Sequence, residues 1–287
     1  MADWGLMGAP IYTLARYKGM GDAPGALRKA GVSGALAVGE ELGDVEIPVL
    51  KNDLVEGATK NLTCFKDATV RIYNFVRKAG AERAVVLGGE CSETVGAMAG
   101  FAQTLGGKAG MLWLDAHGDY NTPSMSPSGY IGGMCLALAC GKAPDLGLDF
   151  GSGYPLADER LVHVGSRALD APEVAAFNSS PAKLYTAQQV KKTGAADVAE
   201  EAARHLDNRS DWVACHLDVD VVDPEYIPAV NYPTPGGLTP EEVAMLVKTL
   251  HRTGKMKVFE VAAYNVSKDR RGATAERIVA LLRSIFD

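Results

Sequence analysis

The residues able to do chemistry stand in two short runs. Asp115, His117 and Asp119 alternate at period two in Leu-Asp-Ala-His-Gly-Asp, directly after the apolar stretch Gly110-Met-Leu-Trp-Leu114. Asp218 and Asp220 repeat the arrangement far downstream, in His-Leu-Asp-Val-Asp. Along an extended chain, residues two apart point to the same side, so each run offers its polar groups together. Four carboxylates converging in a partly buried site repel one another, and each uncompensated buried charge costs several kcal/mol. A pair of divalent cations would neutralise them. Oxygen-rich ligation with one imidazole suits Mn²⁺, Fe²⁺, Co²⁺ or Ni²⁺ better than the thiolate-dominated sites of structural zinc. Two such ions sharing carboxylates would hold a hydroxide near neutral pH, so the expected chemistry is hydrolysis. The competing reading is that the aspartates are solvated strand ends or helix caps. Neither a GxSxG elbow, nor a GxxxxGKS phosphate loop, nor a GxGxxG after a strand is present to suggest other chemistry.

For both runs to meet, the strands before them must be parallel neighbours whose carboxyl ends share a rim, the usual place of the functional crevice in open α/β sheets. Short apolar runs at 83–87, 110–114, 161–164, 212–217 and 257–261 read as buried strands, each followed by turn-forming or acidic residues. Between them lie helical patterns. Phe65, Thr69, Ile72, Tyr73 and Val76 recur at helical spacing before Gly80, which suits a C-cap. Thr239-Pro-Glu-Glu242 reads as a capping box that opens a helix carrying Val243, Leu246, Val247 and Leu250. Ile278, Val279, Leu282, Ile285 and Phe286 form a last amphipathic stripe. The expectation is a three-layer α/β/α architecture in one domain over residues 1–287, a central parallel sheet with helices on both faces.

Composition excludes several classes. With 47% hydrophobic and 22% charged residues, the chain of 287 can bury a sizeable core and is far from disorder. A net charge of −6 and no basic run argue against nucleic acid as partner. No apolar stretch is long enough to span a membrane, and MADWGLMGAP lacks the layout of a secretory signal, so a cytoplasmic location is expected. Cys64, Cys91, Cys135, Cys140 and Cys215 are odd in number and scattered, which fits free thiols in a reducing compartment. Cys135 and Cys140 read as core. His216 reads as a core histidine, on the strand side that permits a hydrogen bond to a ligand of the site.

At these motifs the chain resembles the ureohydrolase family, which contains arginases, agmatinases and formiminoglutamases. Asp115-Ala-His-Gly-Asp119-Tyr-Asn-Thr-Pro123 is similar to the family's DAHxD signature. Leu217-Asp-Val-Asp-Val-Val-Asp-Pro224, continuing to Pro233-Thr-Pro-Gly-Gly237, is similar to its second metal motif. Gly88-Gly89-Glu90-Cys91-Ser92 stands where the family has GGDHS, and Gly8-Ala-Pro10 with 21–31 resembles its first loop and helix. The resemblance implies two Mn²⁺ ions sharing Asp115 and Asp218, with Asp119 serving one ion and His117 and Asp220 the other. It implies that Glu260 holds a guanidinium group, that Asn121 and Ser128 bind an α-carboxylate, and that Asp170 meets an α-amino group. Catalysis is then expected of Glu260, Asp119 and His117, on a small guanidino amino acid, in a trimer or hexamer.

Three positions depart from the family pattern. Cys91 replaces a histidine ligand, so Fe, Co, Ni or Zn is an option at that site besides Mn²⁺. Gly132 replaces a histidine that in arginases passes a proton to the departing amine. Glu260-Val-Ala-Ala-Tyr-Asn265 replaces the compact Glu-Val-Asn-Pro. The cysteine together with the Tyr130-x-Gly-Gly-Met134 loop resembles hydrolases of N-omega-hydroxy-arginine, with Tyr130 narrowing or polarising the pocket. The expected reaction is hydrolysis of N-omega-hydroxy-L-arginine or L-arginine to ornithine plus hydroxyurea or urea. The rivals are an agmatinase, guanidine or formiminoglutamase type of hydrolase, and a metal-poor member with a regulatory or assembly role.

Overall fold

The computed structural model describes residues 4–48, 59–148, 150 and 156–286. Eight strands form one parallel sheet: β1 (Trp4–Ala9), β2 (Val38–Asp44), β3 (Ala84–Gly88), β4 (Ala109–Leu114), β5 (Leu161–Ser166), β6 (Lys183–Thr186), β7 (Trp212–Asp218) and β8 (Met256–Ala262). Their spatial order is β2-β1-β3-β8-β7-β4-β5-β6. The last two strands of the chain thus slot between β3 and β4. This insertion decides where function can sit, because loops from the four central strands then open onto one crevice.

Two hydrophobic clusters lie on opposite faces of the sheet. One packs the helices Ala195–Asp207, Pro240–Arg252 and Ala273–Phe286; the other packs Leu62–Ala79 and Glu93–Leu105. The helices on both faces are the three layers expected from alternating strand and helix patterns. Gly80 closes Leu62–Ala79 in the left-handed conformation. Thr239 and Glu242 satisfy each other's backbone N–H groups, as the capping box requires.

All five expected strands form, while β1, β2 and β6 carried too little signal to be expected. In β1, Trp-Gly-Leu-Met-Gly-Ala, two glycines weaken the strand pattern, although every residue is buried. Strands β2 and β6 are the two edges of the sheet, short or largely exposed, so no apolar alternation marks them. Among the described residues no helix is long and apolar enough to cross a membrane.

Candidate active site

The Asp115 and Asp218 runs adopt the same local structure. Chain β4 ends at Leu114, and Asp115 Oδ1 then accepts the backbone N–H of His117 at 2.7 Å. At the end of neighbouring β7, Asp218 Oδ1 accepts the N–H of Asp220, also at 2.7 Å. These are Asx turns, in which a short carboxylate satisfies its own backbone two residues on. The runs therefore converge through tight turns, and the extended geometry read from the period-two spacing ends with the strands. Asp119 lies beyond the turn in the left-handed region, φ 49°, a conformation that aspartate tolerates. Its carbonyl accepts the N–H groups of Leu136 and Ala137.

Convergence produces two overlapping donor groups. Cys91, Asp115 and Asp218 offer one set of ligand atoms within 4.8 Å of one another, and Asp115, His117 and Asp220 offer another. Asp115 belongs to both. Asp218 joins only the Cys91 group, and Asp119 stands outside both, its Oδ2 accepting from the Cys135 thiol at 3.1 Å. Cys91 donates to Asp218 Oδ2 at 3.0 Å. His117 Nδ1 lies 3.2 Å from Asp220 and 3.4 Å from Asp115.

The electrostatics fit a cation site. Burial, and then the charges of neighbouring aspartates, hold Asp115, Asp119 and Asp218 above the usual carboxylate range. A hydrogen bond from the Cys91 thiol to Cys135, then burial and the Asp218 charge, push the Cys91 thiol up. Burial opposes charge on His117, yet Asp220 and Asp115 outweigh it and push the imidazole up to about 12. The same imidazolium holds Asp220 down despite its burial. Without cations, then, protons neutralise this cluster; divalent ions would displace them and be paired with carboxylates, thiolate and imidazole, all suitable ligands.

A cavity of about 330 Å³ opens over the cluster. Cys91, His117, Asp119, Asp218 and Asp220 form its metal side, and Asn121, Ser128, Tyr130, Gly132 and Asp170 line it further out. Asn121 Nδ2 donates to Asp170 Oδ2 at 3.0 Å, and Ser128 Oγ accepts the N–H of Tyr130 at 3.2 Å. All the residues that the resemblance assigned to an amino-acid head therefore face one space.

Glu260 does not face it. It lies two residues before the end of β8, completely buried, where Oε2 accepts from Thr94 Oγ1 at 2.6 Å and meets His216 Nδ1 at 2.9 Å. Ala263, the residue just past the end of β8, does line the cavity. Glu260 thus sits below the cavity lining, with Oε1 left without a hydrogen-bond partner.

Other cavity residues escaped the sequence reading. Glu173 accepts the N–H groups of Tyr120 at 2.9 Å and Asp170 at 2.8 Å, fixing the segment that carries Asp170. Its signal was present, since Asp170-Ala-Pro-Glu173 has the same capping-box form as Thr239-Pro-Glu-Glu242. Cys135 lies in the core, as its sequence setting indicates, and there also touches Asp119 and donates to the Gly132 carbonyl at 2.9 Å. Glu90 and Tyr232 also line the cavity, and Tyr232 packs edge-on to His117 with ring centroids 5.7 Å apart. His216 stacks on Trp113 at 3.8 Å, and Trp113 Nε1 donates to Asp115 Oδ2 at 3.0 Å. The histidine therefore reaches the ligand Asp115 through the indole, and not by its own hydrogen bond.

Comparisons with known proteins span nearly the whole chain. The model of the Arginase family matches residues 2–287. The arginase of Bacillus caldovelox is 33% identical over 291 residues, covering 98% of this chain and 97% of its own. Its native crystal structure superposes with a TM-score of 0.90, covering 100% of this chain and 98% of the other. At 20% identity, the formimidoylglutamase structure from Bacillus subtilis shares the fold, with a TM-score of 0.79 over 99% of this chain and 87% of its own.

Proposed function

This chain belongs to the arginase family and is a hydrolase of the C–N bonds of linear amidines, and on that premise we propose that it cleaves the guanidino group of an arginine-like amino acid. The substrate we favour is N-omega-hydroxy-L-arginine, with L-arginine as the related alternative, giving ornithine plus hydroxyurea or urea. The observation that carries the reading is Asp115 standing in two donor groups at once, whose other members Cys91, His117, Asp218 and Asp220 line a cavity with Asn121, Ser128 and Asp170 further out.

In this reading Cys91, Asp115 and Asp218 hold one divalent cation, and Asp115, His117 and Asp220 hold the second. Two Mn²⁺ ions suit the oxygen-rich set, with Fe, Co, Ni or Zn an option beside the Cys91 sulfur. When bound, the ions would supply Lewis acidity and bring the pKa of bound water down into the neutral range. The protein's own contribution is positioning. Asn121 and Ser128 receive the α-carboxylate and Asp170 the α-amino group, so the substrate's far end is directed at the metal side. Asp119, beside but outside both donor groups, accepts a proton or hydrogen bond on the attacked face. Tyr232 closes over His117 and limits water at the mouth.

The missing side chain at Gly132 favours the hydroxylated substrate. No imidazole is available there to protonate a departing amine, a role typically worth about 10²- to 10⁴-fold. An N-hydroxyl group lowers the basicity of the guanidine and makes its carbon easier to attack, so less assistance is needed. The three rim residues also make an amino acid a better fit than a decarboxylated amine. We further propose a single catalytic domain over residues 1–287, a cytoplasmic location and a trimeric or hexameric assembly, which light scattering would measure.

The test is a comparison of initial rates on N-omega-hydroxy-arginine, arginine and agmatine with Mn²⁺ present. Fastest turnover of the hydroxylated amino acid is expected; faster arginine cleavage rejects that substrate choice. Preference for agmatine rejects the amino-acid reading. Purification without chelator should yield more than one metal ion per chain; less than one, with no activity on adding Mn²⁺, favours a non-catalytic role.

A further inference from the structure

We propose that Arg167 is a positioning residue for the donor group of Asp115, His117 and Asp220: its planar guanidinium, acting through backbone carbonyls, holds the Asp220 turn against the loop that carries His117. Arg167 belongs to neither donor group and is not among the residues lining the cavity. The proposal rests on the metal-dependent reading of the site. The two donor groups are anchored differently. Asp218 is the last residue of β7 and pairs with Ala262 in the sheet, and the Asp115 N–H donates to the Val164 carbonyl at 3.2 Å. Asp220 lies in the short turn beyond β7, past the last paired residue, where the sheet no longer supports it.

Arg167, directly after β5, fastens both loops. Its backbone N–H donates to the Ala116 carbonyl at 2.8 Å, that of Ala168 donates to the same carbonyl at 3.0 Å, and Ala168 forms a parallel bridge with His117. The side chain then crosses to the other loop. Nη2 donates to the Asp220 carbonyl at 2.7 Å and Nη1 to the Val221 carbonyl at 3.1 Å, while Nε and Nη2 share the Thr234 carbonyl at 3.0 and 2.8 Å. Main chain holds the His117 loop and guanidinium holds the Asp220 turn, so one residue sets the span between the two ligands. Three positions on, Asp170 lines the outer cavity, which ties the amino-acid side to the same anchor.

The fork matters here more than the charge. Among the described residues, each hydrogen bond from the Arg167 side chain goes to a backbone carbonyl, and Asp220, Asp115, Asp223 and Asp218 act on it only as charges beyond contact. A guanidinium presents its donors in a fixed plane and reaches carbonyls on several sides at once; a lysine offers donors from a single atom and cannot span them. The segment Pro233-Thr-Pro-Gly-Gly237 makes room for that plane. Thr234 supplies a carbonyl, and a Cβ on Gly237 would stand 2.8 Å from Nη2 and 2.5 Å from the Asp223 nitrogen, so the guanidinium fits only beside glycine. Asp223 Oδ2 keeps the glycines in place by accepting the N–H groups of Gly236 at 2.7 Å and Gly237 at 2.9 Å.

The test titrates Mn²⁺ into the full chain and reads metal content together with the electron paramagnetic resonance spectrum, in which two ions sharing a carboxylate are spin-coupled and a single ion is not. The parent should hold a coupled pair. Arg167→Lys, which keeps the charge, and Arg167→Met, which keeps the bulk, are both expected to weaken one ion by about 10- to 100-fold and leave the other, giving the spectrum of an isolated Mn²⁺. Asp220→Ala should give that same spectrum, and adding Arg167→Lys to it should cost no further metal, since the arginine acts through that ligand. A coupled pair retained in Arg167→Lys would assign the effect to charge and overturn the proposal. So would equal loss of both ions, or a fall in urea midpoint with the pair intact, or failure of both variants to fold, each of which makes Arg167 a general structural residue. A parent with a coupled pair that Arg167→Lys breaks, but with no turnover of any guanidino substrate, would sink the proposed reaction and leave this assignment standing. Turnover by a parent whose pair is indifferent to Arg167 would do the reverse.

Discussion

Two acidic clusters lie within the same central strands, one at the rim and one beneath it, and they have opposite characters. The rim cluster of Asp115, Asp218, Asp220, His117 and Cys91 points its ligand atoms at shared points under a cavity. In the floor cluster of Glu260, Thr94 and His216 a threonine hydroxyl and an imidazole hold one oxygen of Glu260 and leave the other without a partner, with the ring stacked on Trp113. Glu93 lies buried nearby, raised well above the carboxylate range by burial and by the Glu260 charge. Acid residues alone therefore do not mark a metal or substrate site. What marks it is that the acids converge on open space, which the Glu260 carboxylate does not line.

The largest test of this contrast is at the rim. Asp115→Asn should lower kcat/KM by about 10²–10³-fold or more, because it removes a ligand from both donor groups. Metal content, read by elemental analysis, should fall with it. The metal-free variant should unfold at the same temperature as the metal-free parent or higher, since one buried like charge is gone. A clear drop in that melting temperature would show the rim to be structural.

Cys91→Ala should be next, losing metal from one donor group and about 10–100-fold in activity, while Cys91→His should retain Mn²⁺ better than the parent. At the floor the pattern inverts. Glu260→Gln should destabilise the fold by about 1–3 kcal/mol in urea titrations, since a buried hydrogen-bonding group is disturbed, and change kcat/KM by less than the Cys91 variant does. A larger catalytic than structural effect at Glu260 would erase the distinction between the clusters.

The smallest effect concerns acid. His163, buried in β5, is held neutral, with burial driving it down to about 3. The unfolded chain takes up this proton near the ordinary histidine value of about 6.5, so the unfolded state binds more protons below that point. The stability contributed by neutral His163 is complete above about pH 6.5 and is lost as pH falls toward 3, at up to roughly 1.4 kcal/mol per unit. His163→Leu should flatten the decline in denaturant midpoints across that window. Rim aspartates held above the usual range act with the opposite sign in metal-free protein, so the slope should be steeper with metal bound.

Much of this was legible without coordinates. The apolar runs ending in Asp115 and Asp218 determined that two strands finish in metal-ligand types, and the capping box at Thr239 and the glycine after Ala79 fixed helix ends, because these signals are local: a few residues satisfy one another's backbone groups. The motifs at 115–123 and 217–224 also carried the family. Local pattern placed Glu260 in a strand at 257–261 but had nothing to say about where β8 lies in the order of the sheet. Insertion of β7 and β8 between β3 and β4, which brings Cys91 to Asp218 and Ala263 to Gly89, is a matter of long-range pairing. Residue types fix what a side chain can do, and nearby spacing fixes its turn; which carboxylate meets a ligand depends on packing between segments far apart in the chain, and only the tertiary structure sets that.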